Sequence, residues 1–378
     1  MANKAIVYAI YPNQIQDEQC QKTFGCCRFV YNQMLTIQQN KYKANEKHLS
    51  KMSANTYCNQ YLKPNYPFLK EVDKFALTNA IFNLSNRYDR FFKHLGRFPK
   101  YKTKRKSQKM YTTNFTNKNI EIGDNYIKLP KLGKVKAKIH RKPDNCWKIK
   151  SATVSQSRDG SFYVSVLFEF EQTVVNVPIS DNAIGLDYAS DGLYVDDKGN
   201  VGTNHKYYRE SHKKLAKEQR KLSHKIGSRK SESKSNNYMK QLHKVNKIYR
   251  HISNQRLDNL HKISTEIANQ YDIVCVENLN MRAMSNHGFG NGKATLDNGY
   301  GMFLNMLEYK LADRGKYFVK VDKWFRSSQL CHCCGMLHSE MKDMHIRTMR
   351  CDCGLIMDRD QNAAINIKFE GLRILKSA

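Results

Sequence analysis

The sequence predicts an α+β multidomain protein, and three observations support this fold class. In the first half of the chain, segments rich in β-branched and aromatic residues flank a long stretch with helical periodicity. In the second half, short apolar strands alternate with long helices, an order typical of an α/β unit. Near the end, five cysteines fall within 23 residues, which indicates a small metal-stabilised module.

The composition favours a partner with many negative charges. The 378 residues include 64 Lys and Arg against 34 Asp and Glu, a formal net charge of +30. This imbalance indicates nucleic acid, because binding neutralises phosphates and releases their counterions; a soluble basic protein without such a partner is the alternative. The sequence has neither an apolar run of membrane-spanning length nor a secretory pattern at its start. We therefore expect a cytoplasmic protein with no membrane partner.

The N-terminal half is predicted to consist of strands interrupted by helices. Residues 4–11 and 161–169 are predicted strands, and residues 13–95 are predicted helical, with Gly96 as the stop signal. An apolar stripe expected to pack in a core consists of Leu77, Ile81, Leu84, Tyr88 and Phe91. Four cysteines without ligand spacing are predicted to be small buried residues: Cys20, Cys26, Cys27 and Cys58.

Residues 93–148 combine positive charge with aromatic rings. They contain 17 Lys or Arg against three acids. Six aromatic residues are interleaved with these charges: Phe98, Tyr101, Tyr111, Phe115, Tyr126 and Trp147. Basic side chains can follow a phosphate backbone while rings stack on bases or sugars, so we expect this segment to contact nucleic acid.

The second half alternates strands and helices. Residues 183–201 predict two short strands joined by a turn, and residues 205–270 predict a basic helical hairpin with 17 Lys or Arg against five acids. Within its single apolar seam, Arg256 occupies a position that an apolar residue should fill. The remaining predicted elements are the polar hairpin tip (227–237), a buried strand (271–281), a Gly-rich segment (285–301), a helix (303–313) and a strand (316–325).

Acidic residues stand at the ends of these elements. Asp187 lies inside an apolar strand, Glu277 ends another, and Asp358 and Asp360 begin the last helix. Burying an unpaired carboxylate is costly, and two divalent cations about 4 Å apart would offset that cost and support phosphodiester cleavage. Oxygen ligands suit Mg²⁺ or Mn²⁺. The alternatives are a turn or an arginine partner for Asp187 and Glu277, and helix capping for the two last aspartates.

The late cysteines form two pairs, each followed by glycine. Cys331 and Cys334 are separated by two residues, whereas Cys351 and Cys353 are separated by one, although two is commoner. Four thiolates around a tetrahedral Zn²⁺ would make a closed, structural site. Cys333 and His332 lie close enough in sequence to compete as ligands, and a reduced cluster without metal is the alternative.

The chain resembles the TnpB family, the transposon-encoded proteins related to compact type V CRISPR effectors. The matching segments, spread over the whole chain, are "TFGCCRFVYN" (23–32), "GLDYAS" (185–190), "VENL" (276–279), "SSQLCHCCG" (327–335) and "DRDQNAAINI" (358–367). The resemblance implies an RNA guide made from the transposon end and cleavage of double-stranded DNA beside a short flanking motif. It leaves the state on RNA open between monomer and dimer.

The resemblance also implies a domain plan and a set of site residues. An oligonucleotide-binding β-barrel (1–12 and 96–180) would be split by a helical recognition lobe (13–95). An RNase H-like RuvC nuclease domain (181–326 and 357–378) would contain the basic hairpin (205–270) and a zinc ribbon (327–356). Its three Mg²⁺-binding acids would be Asp187, Glu277 and Asp360, with Asp358 as the alternate for the third.

Three other functions remain consistent with parts of the sequence. A transposase would cut and join DNA ends through an acid triad of different topology. A guide-bound repressor would bind without cutting, which the three intact acids argue against. A plain zinc-ribbon nucleic-acid-binding protein would explain the charge and the cysteines but leave the acids without a role.

Overall fold

A computed structural model describes residues 2–225, 235–284 and 297–377, in two compact units, Met1–Gln172 and Thr173–Ala378. The predicted hairpin tip and Gly-rich segment therefore lie largely outside the described residues. Among the helices that are described, none is both long and apolar enough to cross a lipid bilayer.

The N-terminal unit contains a seven-stranded antiparallel sheet in the order β2-β6-β7-β1-β5-β4-β3. The two strands predicted from sequence, β1 and β7, pair with each other along nine positions. β2 and β3 form the two ends of this order, so closure into a barrel stays a prediction. The strands are β1 (Ala2–Tyr11), β2 (Lys109–Asn114), β3 (Glu121–Ile122), β4 (Tyr126–Leu129), β5 (Gly133–Lys138), β6 (Lys148–Gln156) and β7 (Phe162–Phe170).

Helices fill the connection between β1 and β2, as predicted. The first begins at a capping box, in which the Asn13 side chain accepts from the Gln16 backbone and the Gln16 side chain accepts from the Asn13 backbone. The four cysteines predicted to be buried are buried. The helical elements are α1 (Gln14–Lys43), α2 (Lys51–Tyr57), a π-helical turn (Cys58–Leu62), α3 (Lys63–Asn65), a 3₁₀ turn (Pro67–Lys70) and α4 (Lys74–Phe92).

The rings of the basic segment divide into exposed and packed groups. Phe98 and Tyr101 are exposed, although the Phe98 ring also packs edge-on against Tyr88 and Phe91, so each presents ring surface to a partner. Tyr111, in contrast, is buried in the core against Phe24, and this part of the stacking prediction is wrong. The reason is strand alternation: Tyr111 lies on the inward face of β2, which neighbouring charges in the sequence do not reveal.

The C-terminal unit is built on a four-stranded sheet in the order β11-β10-β8-β9. β8, β10 and β11 are parallel, and β9 is antiparallel to β8. The strands are β8 (Ala183–Tyr188), β9 (Tyr194–Asp196), β10 (Ile273–Glu277), β11 (Tyr317–Val321) and a separate pair, β12 (Thr348–Arg350) and β13 (Ile356–Asp358). The helices are α5 (Tyr207–His224), α6 (Asn236–Gln270), α7 (Met281–Met284), α8 (Tyr300–Ala312) and α9 (Arg359–Lys376), with a 3₁₀ turn (Ser339–Lys342).

The sheet is buried on both faces, which explains the continuous apolar run of β10. Val274 and Val276 pack in a cluster with residues of α6 and α8. Ile273 and Cys275 face the other way and pack in a cluster with Ile367 of α9. α5 and α6 form the predicted hairpin. Arg256 of its seam forms an ion pair with buried Asp297, at 2.9 Å between guanidinium nitrogen and carboxylate oxygen, which explains a charge at an apolar position.

α9 lies unusually close to β8. A Cβ atom added to Gly185 would collide with the backbone carbonyl oxygen of Ala364, and one added to Gly371 would collide with the sulfur of Cys275. Two glycines, one on the strand and one on the helix, therefore allow the helix backbone to approach the sheet directly. This close contact fixes the position of the start of α9 relative to the end of β8.

Substituting Gly185→Ala should therefore lower the free energy of unfolding by about 2–3 kcal/mol, because the helix must move away from the sheet. Chemical denaturation with linear extrapolation measures this change. Gly301→Ala, at an α8 glycine whose nearest neighbours lie 3.7 Å from the added Cβ, is the matched control and should stabilise the protein slightly. Equal stabilities for the two variants would contradict the close packing.

Candidate metal-binding sites

The four predicted zinc ligands come together in space. Cys331, Cys334, Cys351 and Cys353 each offer a sulfur, and these sulfurs all lie within 4.8 Å of one another. The Sγ atoms of Cys331 and Cys353 are 3.6 Å apart, and those of Cys334 and Cys351 are 3.5 Å apart. A tetrahedral site with Zn–S bonds of about 2.3 Å separates its sulfurs by about 3.8 Å. The donor set and its size therefore fit Zn²⁺, whose identity stays a prediction.

The two competing ligands considered from sequence lie elsewhere. Cys333 is exposed and is not part of the sulfur cluster. The His332 ring nitrogen Nδ1 is 3.0 Å from Oδ1 of Asn362, which also accepts the His332 backbone N–H at 3.1 Å. His332 thus binds α9 instead of joining the cluster.

The shorter second cysteine pair has its own turn geometry. In the first turn, the Cys331 N–H donates to the Met336 carbonyl at 2.9 Å and the Gly335 N–H donates to the Cys331 carbonyl at 2.8 Å. In the second, the Cys351 N–H donates to Leu355 at 3.0 Å and the Gly354 N–H donates to Cys351 at 2.9 Å. The same two bonds close a turn that is one residue shorter.

Both turns need their glycines. Gly335 and Gly354 have φ values of +77° and +90°, a region that favours glycine. The spacing of one residue is therefore compatible with a closed cysteine turn.

Sheet geometry places the first two acids side by side. Leu186 of β8 is the partner of Val276 in β10, so Asp187 and Glu277 are the next residues on two neighbouring parallel strands. Side chains alternate along a strand, so Asp187 shares a face with Gly185 and Glu277 shares one with Cys275. Both of these neighbours contact α9. The two acids therefore lie at the carboxyl edge of the sheet, on the side that α9 covers.

The third acid follows from the period of α9. Asp360 lies one helical turn before Ala364, the residue that touches Gly185, and residues four apart share a helix face. Asp358, in contrast, precedes the helix and caps it. Its exposed side chain accepts from the backbone N–H groups of Asp360 at 2.9 Å and Gln361 at 3.2 Å. Helix geometry therefore directs the Asp360 side chain toward Asp187 and Glu277, whereas the Asp358 side chain caps the helix.

The electrostatics agree with this convergence. Burial and the negative charges of Asp360 and Glu277 hold the pKa of Asp187 well above its usual range, although a backbone hydrogen bond from Tyr188 and the positive charge of Arg359 act in the opposite direction. Burial also raises the pKa of Glu277. Excess negative charge of this kind fits bound cations, which would favour the ionised carboxylates. Among the described residues, these carboxylates are not packed as tightly as the four sulfurs.

One ion pair and three hydrogen bonds that sequence reasoning missed join the cysteine module to the acidic site. The Arg347 guanidinium donates to the Asp360 carboxylate. In α9, Asn362 donates to the Leu330 carbonyl at 2.7 Å, and Asn366 donates to the carbonyls of Ser327 at 2.8 Å and Leu330 at 2.7 Å. The asparagine spacing of four residues in "DQNAAIN" was a usable signal, because it places both amides on one helix face. Arg347 has no comparable pattern.

Tyr300 is a further residue that the sequence did not single out. It is fully buried at the start of α8, and none of the described residues forms a hydrogen bond with its hydroxyl. Burial raises the pKa of Tyr300 well above its usual range, and the negative charges of Asp187 and Glu277 raise it further. This phenol therefore lies within electrostatic range of the acids.

Three family models match separate parts of the chain. Residues 300–367 match "Cas12f1-like, TNB domain", and residues 165–287 match "Probable transposase", the OrfB_IS605 model. Residues 1–47 match a model described as "Helix-turn-helix domain". In that last range the structure has strand β1 and the single continuous helix α1 up to Lys43.

Full-length relatives and a solved structure agree with these matches. The "Putative RNA-guided DNA endonuclease" of Streptomyces pristinaespiralis is 30% identical over 371 residues, 98% of this chain and 89% of the relative. "Putative RNA-guided DNA endonuclease InsQ" of Escherichia coli (strain K12) is 27% identical over 98% of this chain and 93% of its own length. A structure titled "Cryo-EM structure of the Cas12f1-sgRNA-target DNA complex" matches with a TM-score of 0.58 at 13% identity, covering 94% of this chain and 82% of that one.

The fold is that of the compact Cas12f1-type proteins, with acids at the carboxyl edge of a parallel sheet and a four-cysteine module beside them. On the strength of the full-length match, the chain belongs to the TnpB family. The resemblance drawn from the sequence is thereby confirmed.

Proposed function

We propose that this protein is an RNA-guided DNA endonuclease of an insertion sequence, which hydrolyses phosphodiester bonds of double-stranded DNA beside a short flanking motif. The names of the full-length relatives support RNA guidance and DNA cleavage. The observation that supports a cutting protein most directly is the convergence of Asp187, Glu277 and Asp360 at one edge of the sheet.

In this proposal the three acids hold Mg²⁺ or Mn²⁺. Two bound cations would supply the positive charge that polarises the scissile phosphate. β8 and β10 hold Asp187 and Glu277 in register, and the close contact at Gly185 holds Asp360 next to them. The cysteine module, with Zn²⁺, would steady the start of α9 through Asn362 and Asn366.

The basic segments are the proposed RNA-binding surfaces. Residues 93–149 and 205–270 together contain 34 Lys or Arg against eight acids. Phosphates of a guide RNA from the transposon end would neutralise this charge, and Phe98 and Tyr101 are exposed for stacking. We assign the recognition lobe to residues 13–95, within a β-barrel domain formed by residues 1–12 and 96–180.

Site-specific cleavage should require RNA. Protein treated exhaustively with ribonuclease should cut DNA poorly or without sequence preference, because base pairing with the guide would supply the specificity. Adding back the RNA that co-purifies with the chain should restore cleavage at the complementary site. A DNA cleavage assay with sequenced ends measures both, and affinity for the RNA should fall steeply with salt.

The opposite result would favour a different function. Site-specific cutting by RNA-free protein, with products in which DNA ends are joined, would identify a transposase, in keeping with the description of the family model that matches residues 165–287. A wrong-sequence RNA of equal length is the matched control for the add-back experiment.

A further inference from the structure

A positively charged cleft lies near the distal end of the α5–α6 hairpin. It encloses about 500 Å³ and is lined by Lys225 at the end of α5 and by Lys240, Lys244 and Lys247 of α6, with Asn237, Gln241 and His243 between them. The four lysines are exposed. None of the four forms an ion pair with a residue that the structure describes.

The spacing of these lysines produces one continuous positive row. Lys240, Lys244 and Lys247 are four and three residues apart, so they lie on one face of α6 and span about 10 Å along its axis. Within residues 2–225 and 235–284, the acid beside this row is Glu218 of α5, which pairs with Lys221 at 2.8 Å and accepts from Gln241 at 2.7 Å. Glu218 also feels the positive charge of Lys244, but one carboxylate cannot neutralise four lysines, so the described lining of the cleft keeps a net positive charge.

The cleft lies too far from the acids to serve the cutting step directly. α6 runs back along β10. At rises of about 3.3 Å per strand residue and 1.5 Å per helix residue, the length of β10 corresponds to roughly 9 residues of α6. Glu277 therefore lies level with a point near residue 261. From there to Lys244 the helix extends about 25 Å further. A nucleic acid held in the cleft is therefore a segment other than the one at the acids.

The base of the hairpin is anchored, so the cleft is held at a fixed distance from the acidic site. Buried Asp297 accepts from the Arg256 guanidinium at 2.9 Å and from the Tyr208 backbone N–H at 3.2 Å, so one carboxylate holds both helices of the hairpin. Beside it, Asn298 donates to the carbonyls of Ala189 at 3.0 Å and Gly192 at 2.7 Å, in the loop that follows β8. The hairpin is thus joined at its base to the strand that bears Asp187.

We propose that the cleft formed by Lys225, Lys240, Lys244 and Lys247 binds the sugar–phosphate backbone of the guide RNA. The inference rests on the proposed function and adds the site to it. RNA fits better than target DNA because the four lysines, which have no ion-pair partner among the described residues, repel each other in the free protein, and in the proposed function the guide is bound before DNA arrives. Contacts to the backbone alone would be independent of RNA sequence.

The test compares two triple variants by their salt dependence. The cleft variant carries Lys240→Gln, Lys244→Gln and Lys247→Gln. The control carries Lys323→Gln, Lys342→Gln and Lys376→Gln, which remove the same charge at exposed positions outside the two basic segments. Binding of the co-purifying RNA, transcribed in vitro, is measured from about 50 to 400 mM salt. For the cleft variant, the slope of log K against log salt should become less negative by about 2, and RNA binding should be about 10–100-fold weaker near 150 mM salt. In the control variant, the slope and the RNA affinity should each change by only a fraction of these amounts.

Three results would overturn the proposal. Equal losses in the two triple variants would show an effect of net charge alone. An unchanged RNA affinity of the cleft variant would show that the cleft is not an RNA-binding site. Unchanged RNA affinity together with weaker target-DNA binding by the RNA-loaded complex would assign the cleft to DNA. If wild-type protein binds this RNA through the cleft but shows no RNA-dependent cleavage, the proposed function fails while the site stands.

Discussion

Replacing Asp187 with Asn should abolish DNA cleavage, by at least about 1,000-fold, while leaving RNA and DNA affinity nearly unchanged. Asn has nearly the same shape but lacks the negative charge that a divalent cation needs. The basic surfaces that would bind nucleic acid are elsewhere in the sequence, so binding should survive. Single-turnover cleavage kinetics and gel-shift titrations measure the two properties on the same RNA-loaded preparation.

The same variant should not be less stable in buffer without divalent cations. The pKa of Asp187 is raised in the folded protein, so stability falls as pH rises from the pKa of the unfolded chain to the folded-state pKa, and the full penalty is present above it. Asn cannot ionise and avoids the penalty. Loss of cleavage with equal or higher stability would identify a functional acid; loss of cleavage through unfolding would contradict the assignment.

Asp358 and Asp360 provide a matched pair two residues apart. Asp360→Asn should abolish cleavage as Asp187→Asn does. Asp358→Asn should cut at close to the wild-type rate, because Asn caps a helix about as well as Asp. If the Asp360 variant cuts normally and the Asp358 variant does not, the third cation ligand is Asp358.

Replacing Cys331 with Ser should remove nearly all of about one tightly bound zinc per chain and unfold residues 327–357. Structural zinc contributes on the order of 10 kcal/mol to small modules of this kind, far more than their own packing. Metal analysis by mass spectrometry measures the zinc, and hydrogen exchange locates the unfolding. Cleavage should fall as well, since Asn362 and Asn366 lose their partners in the module.

Cys333→Ser is the matched control, because Cys333 lies two residues away and its thiol is exposed outside the cluster. This variant should retain zinc, fold and activity. Zinc retained by the Cys331 variant but lost by the Cys333 variant would show that the ligand set includes Cys333. A zinc content near zero in wild-type protein purified without chelator would contradict the assignment of a zinc site.

Much of the fold could be predicted because burial leaves a clear periodic signal. The run from Ile273 to Val276 indicated a strand buried on both faces, and the structure covers one face with α6 and α8 and the other with α9. The metal site could also be predicted from the cysteine pairs, because metal ligands need a fixed spacing. Tyr111 was misread, because charge near a ring in sequence says nothing about which face of a strand the ring occupies.

The contacts that arrange the candidate site left weaker signals. The resemblance names Asp360 as the third acid, but a physical reason to prefer it over Asp358 requires knowing which residue of α9 touches Gly185. Arg256 is an anomaly in the apolar seam of the hairpin, but its partner Asp297 is 41 residues away and follows no period. Arg347 and Tyr300 left no pattern either: Arg347 pairs with Asp360, and Tyr300 lies within electrostatic range of Asp187 and Glu277, and a single sequence does not reveal such tertiary contacts.

The short path from the second cysteine turn to the last acid restricts where the chain can change length. β13 pairs with β12 from Ile356 to Asp358, and Asp358 immediately caps α9. One residue inserted between Cys353 and Asp358 would slip this pairing by one position and reverse the direction of every following side chain in the strand. One residue inserted after Asp358 would rotate Asp360 by about 100° around the helix axis. We therefore expect natural insertions and deletions among relatives to fall between the two cysteine turns, within residues 336–347, and to be absent from residues 353–364.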